Sequence, residues 1–276
     1  MVTEDNCIMM TEQEFMRIAL FLKRKYGIDM ERKKAIVEGR LENYVRAGGW
    51  TTYSQYMDAV EKDVSGDLEK KLVDLLSTNH TYFMRESEHF DFMKKEVLPW
   101  LKEKESKNKD LHIWCAASSS GEEPYTIAMV LMEFFGLEHN QWDTQILATD
   151  VSTEILQQAI SGVYSKEQIS PLPEHWKRRF FRNIVGTDQY KVTEELKKEV
   201  LFRKFNLMDP FPFRKKMHVI FLRNVMIYFD DVTKKQLLQK IYDSLEPGGY
   251  LFLGKTETLN RDNVPFHLVT PSVFRK

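Results

Sequence analysis

The run Leu111–Asp150 constrains what this chain can fold into more than any other stretch. LHIWCAA has the continuous apolar character of a strand buried on both faces. SSSGEEP follows as a tight turn with one glycine, and DTQILATD is a second strand pattern that ends on an acid. A strand, a turn opening into a helix and an acidic residue closing the next strand is how an α/β sheet builds a nucleoside pocket. The chemistry of the turn narrows what such a pocket accepts. Phosphate-binding loops leave backbone N–H groups and a helix N-terminus open to negative oxygens, whereas here Glu122 and Glu123 place carboxylates at that point.

An acidic turn of this kind repels a phosphate and suits a nucleoside that carries positive charge and none. S-adenosylmethionine meets that description through its sulfonium and ammonium groups. Asp150, at the end of the second strand, is then placed to accept hydrogen bonds from the ribose hydroxyls. The competing reading makes Asp150 a cap for the helix that Ser152 opens.

With 276 residues, 42% of them hydrophobic, the chain can bury one large core and a smaller second one. Its start, MVTEDN, is acidic and polar, and no apolar run reaches the roughly 20 residues of a membrane span, so neither signal peptide nor anchor is expected. The two cysteines, Cys7 and Cys115, lie far apart, one of them in a buried strand pattern, which points to a reducing cytoplasm. No metal site is expected, because His112 and Cys115 point to opposite faces of a strand. A net charge of -1 argues against a general attraction to nucleic acid.

The amino-terminal part reads as helices only. Thr11 and Glu14 form a capping box ahead of Phe15, Ile18, Ala19 and Leu22. Val37, Leu41, Tyr44 and Val45 mark a second helix stopped by Gly48-Gly49, and segments around Tyr53 to Val60 and Asp67 to Leu76 complete a small bundle. Lys23-Arg24-Lys25 and Arg32-Lys33-Lys34 make it locally basic, either as a solvated helix face or as a docking surface for an acidic partner.

From about Ser87 helices and strands alternate. Phe90, Met93, Val97 and Leu101 mark a helix that Pro99 kinks or loosens. HVIFLRN is a buried strand, and LEPGGYLFLG a Gly-Gly turn leading into another. Such alternation predicts an α/β fold with a doubly wound, mostly parallel sheet and a ligand at the carboxyl ends of its strands. NIVGTDQYKV followed by EVLFRKFNL breaks the pattern and reads as a small antiparallel β insert at about 180–205, too brief to join the main sheet. The domains expected are a helical one over 1–78, an interdomain segment over 79–88 and the sheet-bearing domain over 89–276.

Taken in order, TNHTYFMRE, AASSSGEEPYTIA, LATDVS, FNLMDPFPF and FLRNVMIYFD resemble the CheR-type chemotaxis receptor methyltransferases, and the resemblance spans nearly the whole chain. It implies the class I S-adenosylmethionine-dependent methyltransferase fold and a protein-glutamate O-methyltransferase. Such an enzyme forms methyl esters on the cytoplasmic helical domains of chemoreceptors and releases S-adenosylhomocysteine. By position, the implied cofactor contacts are Asn79, Thr81, Arg85, Glu123, Asp150, Asn206, Leu207, Arg223 and Asn224. Arg85 and Tyr228 are the implied substrate-handling, catalytic pair. Glu122 competes with Glu123 for the methionine end of the cofactor. From the residues alone, Arg85 can instead be a salt-bridge partner of Glu86 or Glu88, Tyr228 a core aromatic and Asn206 a turn residue. No nucleic acid and no membrane insertion are expected, and the protein is expected to act as a cytoplasmic monomer.

Overall fold

The first helix, α1 (Glu12–Tyr26), begins where its capping box places it: the Thr11 hydroxyl accepts from the Glu14 N–H and Glu14 reaches back to the Thr11 N–H. In the computed structural model, which describes residues 8–259 and 265–276, Glu14 has a second task. Its other oxygen accepts from the Ser54 N–H at 2.9 Å, fixing the start of a later helix. Met1 to Cys7, the acidic start and the first cysteine among them, lie outside the described residues.

The chain divides into two units, one running to Thr78 and including Tyr228–Thr233, the other formed by Asn79–Ile227 and Lys234–Lys276. In the first, α1 is followed by α2 (Lys34–Ala47), α3 (Tyr53–Lys62) and α4 (Asp67–Leu76). Their apolar faces bury Phe15, Leu22, Val37, Leu41, Tyr56 and Leu72 together. Arg40 closes the end of α4 by donating to the carbonyls of Leu76 and Ser77. The basic runs are partly compensated within this unit: Lys23 pairs with Glu31 and Asp230, Lys25 with Glu69, and Lys34 with Glu12.

The second unit opens with α5 (Glu88–Phe92), a π-helical turn over Met93–Val97 and α6 (Leu98–Lys104). Pro99 has no N–H to give, and the helix widens just before it, with Leu98 N–H bonding back to Met93. The sheet elements follow: β1 (Ile113–Cys115), α7 (Glu122–Phe135), β2 (Ile146–Asp150), α8 (Thr153–Ser161) and β3 (Val163–Ser165). Then come α9 (Glu174–Phe180), β4 (Phe181–Asn183), β5 (Gln189–Val192), α10 (Glu194–Lys198), β6 (Val200–Lys204) and β7 (Met217–Leu222). Helix α11 (Asp231–Ser244), β8 (Leu245–Leu253), β9 (His267–Thr270) and β10 (Val273–Arg275) complete the chain.

Among the described residues seven strands form the main sheet in the order β6-β2-β1-β7-β8-β10-β9. The first five are parallel and β10 runs antiparallel to both its neighbours. The order reverses direction at β1, which puts the crevice for a ligand at the carboxyl ends of β1, β2 and β7. Every side chain of β1 and β7 is buried, as strands covered on both faces require.

The β insert differs from expectation. Val200–Lys204 belongs to the main sheet as its edge strand, paired parallel to β2 from Ile146↔Val200 to Asp150↔Lys204. The short α10 carries the chain back alongside the sheet. The small antiparallel sheet has the order β3-β5-β4, so its third member is Val163–Ser165, which leaves α8 directly at a left-handed Gly162. The alternation of buried Val200 and Phe202 with the less buried Leu201 and Arg203 identifies a half-buried strand and says nothing of which sheet it joins.

Candidate functional site

The turn after β1 is built around a residue that must be glycine. Gly121 caps α7 at φ 98, and a Cβ there would lie 2.8 Å from the Tyr164 hydroxyl and 3.0 Å from the Ala159 Cβ. Ser119, at φ 47, turns its N–H to Asp150 Oδ2 at 2.9 Å and its hydroxyl to the Asn79 carbonyl at 3.0 Å. Asp150 Oδ1 accepts from the Ser152 N–H at 3.0 Å, while helix capping itself falls to the Ser152 hydroxyl, which accepts from Ile155. Both oxygens of a nearly buried carboxylate are thus fixed by backbone amides. Above the same turn the buried Ser118 hydroxyl has no hydrogen-bond partner among the described residues. An orphan hydroxyl beside an oriented carboxylate fits a polar nucleoside held at this crevice.

The two glutamates of the turn part company. Glu122 is 1% exposed, accepts from the Ser120 hydroxyl at 2.7 Å and faces Gln168; burial pushes its carboxyl pKa up, against the pull of Ser120. Glu123 lies over the strand ends. One of its oxygens accepts from the Cys115 thiol at 3.1 Å and the other is ion-paired with Arg223. Burial, reinforced by Glu123, raises the Cys115 thiol well above the ordinary range, so it serves as a neutral donor. The turn is less openly acidic than its sequence suggests, because neither carboxylate stands without a partner.

Arg223 is the hub of this end of the sheet. Its side chain is 1% exposed, pairs with Glu123 and with Glu86 at 3.3 Å, donates to the Arg85 carbonyl at 2.5 Å and lies 5.7 Å from the Phe90 ring. Burial opposes its charge, and the two carboxylates outweigh that and raise its pKa further. Held this way, the guanidinium ties the segment after Asn79 to the turn after β1. Arg85 itself is half-buried, donates to the His80 carbonyl at 2.7 Å and makes no ion pair among the described residues. Glu86 and Glu88, its expected competitors, pair with Arg223 and Lys255. Met84 at φ 61 and Glu86 at φ 54 flank Arg85, and Asn224 has φ 56. Left-handed residues other than glycine each cost about 1–3 kcal/mol, and their gathering at one rim is the pattern of a functional site.

Asn206 follows β6 and makes a turn, its Oδ1 accepting from the Met208 N–H at 3.0 Å. Leu207 is buried beside it. Lys240 of α11 donates to three successive carbonyls here, Leu207, Met208 and Asp209, over the Phe211 ring. Thr81 is half-buried in the segment before Arg85. Tyr228 belongs to the first unit. There it is half-buried rather than a core aromatic: its carbonyl accepts from Asp29 at 2.8 Å, Lys33 Nζ lies 5.5 Å from its ring, and the buried apolar residue is the adjacent Phe229.

Sequence reasoning missed Glu257. Its carboxylate is 6% exposed and accepts from the N–H groups of Asn224, Met226 and Gly254, each at 2.7 Å. Missed as well were Cys115 and Lys240, whose roles depend on partners distant in sequence. No group of three or more His, Cys, Asp or Glu that could hold a metal exists among the described residues.

Residues 79–274 match the CheR methyltransferase SAM binding domain and residues 13–77 the CheR methyltransferase all-alpha domain. The chain belongs to the CheR methyltransferase family. It is 42% identical to the chemotaxis protein methyltransferase of Borreliella burgdorferi, over 98% of this chain and 96% of that one. Identity to the chemotaxis protein methyltransferase of Escherichia coli is 31%, over 96% of this chain and 91% of that one. The strand order described above is that of the class I S-adenosylmethionine-dependent methyltransferases, with the helical domain of the family ahead of it.

One buried residue of the second unit gives this family member a measurable pH response. His89 donates to or accepts from the Ser272 hydroxyl at 2.7 Å, and burial, aided by Arg223, lowers its pKa from 6.5 to about 4. The unfolded imidazole takes up its proton near 6.5 and the folded one does not. Its stabilising contribution is therefore complete above pH 6.5 and is lost progressively as pH falls toward 4, at about 1.4 kcal/mol per unit. Urea unfolding across that window should show this slope in the native protein and a flatter one in His89→Gln.

Proposed function

We propose that this protein is a cytoplasmic, monomeric enzyme that transfers the methyl group of S-adenosylmethionine to glutamate side chains on the helical domains of chemoreceptors. Membership of the family supports the reaction class. The observation that carries the assignment of the site is Asp150, whose two oxygens are oriented by the Ser119 and Ser152 amides at the point where ribose hydroxyls would be held. Of the two turn glutamates, Glu123 is favoured for the methionine end, because Glu122 is sealed beneath Ser120 and Gln168. No helix among the described residues is long and apolar enough to cross a membrane.

The chemistry asks little of a base. A glutamate with a pKa of about 4.3 is ionised at neutral pH and already nucleophilic. S-adenosylmethionine, when bound, would supply an activated methyl group to a glutamate oxygen and depart as the neutral thioether. What the chain's own residues contribute is placement, and a near-attack alignment is worth about 7–11 kcal/mol. Asp150 and the Asn206 turn orient the nucleoside. Ser118 offers an unspent hydroxyl, and Arg223, neutralised by Glu123 and Glu86, braces the rim instead of drawing charge from the nucleophile. Arg85, which makes no ion pair among the described residues, can hold the non-attacking substrate oxygen. Tyr228, the other residue the resemblance implies, would donate a directional hydrogen bond to substrate. Tyr228→Phe should leave cofactor affinity unchanged and slow a single turnover about tenfold or more.

Methyl-labelled cofactor and receptor-bearing membranes test the reaction directly. Mild alkali should release the label as methanol, since carboxyl esters hydrolyse and N-methyl groups do not. Label that resists alkali would overturn glutamate as the target.

A further inference from the structure

The carboxyl end of β7 is held by an anion from the loop after the neighbouring strand β8. After Leu222 the chain must leave the sheet and present Arg223 and Asn224 at the crevice, and it does so through a left-handed Asn224, a conformation that side chains other than glycine rarely adopt. Nothing local compels that conformation. The compulsion comes from Glu257, just beyond β8: Oε2 accepts from the N–H groups of both Asn224 and Gly254, and Oε1 from the N–H of Met226, all at 2.7 Å. A buried carboxylate thus gathers three amides from two loops about thirty residues apart in sequence, and no other described group takes those donors.

Gly254 completes the arrangement from the other side. A Cβ on Gly254 would stand 2.3 Å from Asn224 Nδ2 and 3.0 Å from the Asn224 N, so the close approach of the two strand ends requires that glycine. Burial raises the pKa of Glu257 and its amide donors oppose that rise, as expected of a carboxylate committed to protein groups and not to solvent.

We infer that Glu257 is a positioning residue for methyl transfer, which acts through Asn224 by holding the Arg223–Met226 turn in the shape the cofactor site needs. The inference rests on the reading that Asn224 borders that site. A glutamine in its place has nearly the same shape but only one accepting oxygen, and its amino group would face backbone donors. Glu257→Gln should therefore resemble Glu257→Ala and not the native protein.

The test measures S-adenosylhomocysteine binding by calorimetry, corrected for the folded fraction, with backbone hydrogen exchange on the same samples. Glu257→Gln should bind at least tenfold more weakly. Its Asn224, Met226 and Gly254 amides should exchange quickly while those of Val219 to Leu222 stay protected, and the KM for receptor should not change. A folded Glu257→Gln with native affinity and a lowered melting temperature would make Glu257 a purely structural residue and overturn the inference. Should the variant not fold, Gly254→Ala decides: it pushes on Asn224 while leaving the carboxylate in place and should weaken binding likewise, whereas native affinity overturns the inference. Failure of the native protein itself to bind S-adenosylhomocysteine would instead overturn the assignment of the site.

Discussion

Replacing Asp150 with alanine is expected to weaken S-adenosylmethionine binding about 100-fold and to leave the protein folded. The magnitude follows from the two hydrogen bonds the carboxylate would accept from paired ribose hydroxyls. A hydrogen bond to a charged group contributes about 1.5–3 kcal/mol, so two of them amount to roughly 3 kcal/mol or more, or two orders of magnitude in affinity. Folding should survive at some cost in stability: the Ser119 amide is only partly buried and Ser152 still caps α8 with its own hydroxyl, while the buried Ser152 amide loses its acceptor. Asp150→Asn makes a sharper measurement. It keeps one accepting oxygen, so its affinity should lie between those of the native and alanine proteins. Calorimetric titration of both variants gives the comparison, and an alanine variant with native affinity would remove Asp150 from the cofactor site.

The parts of this molecule legible in its sequence are those set by local rules. The capping box at Thr11 and Glu14, the all-apolar strands around Trp114 and Ile220, and the single-glycine turn each specify their own geometry within a few residues. The strand Val163–Ser165 was not legible, because three residues following a helix carry no period of their own. Val200–Lys204 was recognisable as a strand but not as a member of the main sheet, since its partner β2 lies some fifty residues earlier. For the site the division is the same. Asp150 announces itself by ending a buried strand, whereas the pairing of Glu123 with Arg223 across 100 residues, and the grip of Glu257 on the turn after β7, exist only once the sheet has brought those loops together.

The largest effect on stability is expected at Arg223. Its guanidinium is almost completely removed from water, and it is answered by Glu123, Glu86 and the Arg85 carbonyl. Arg223→Met fills much of the same space with an apolar chain and leaves two carboxylates facing each other in a poorly hydrated environment. Removing one partner of a buried ion pair costs about 3–5 kcal/mol, a large part of the 5–15 kcal/mol by which a typical domain is stable. The loss should be apparent in urea unfolding at neutral pH. Glu123→Gln combined with Arg223→Met tests the cause. If uncompensated charge produces the destabilisation, the double variant is more stable than Arg223→Met alone, though still below the native protein because Glu86 has lost its ion pair with Arg223 and keeps only the Lys255 N–H and the neighbouring His89 ring. A double variant no more stable than Arg223→Met would place the cost in lost packing against Phe90 and in the unmet Arg85 carbonyl instead.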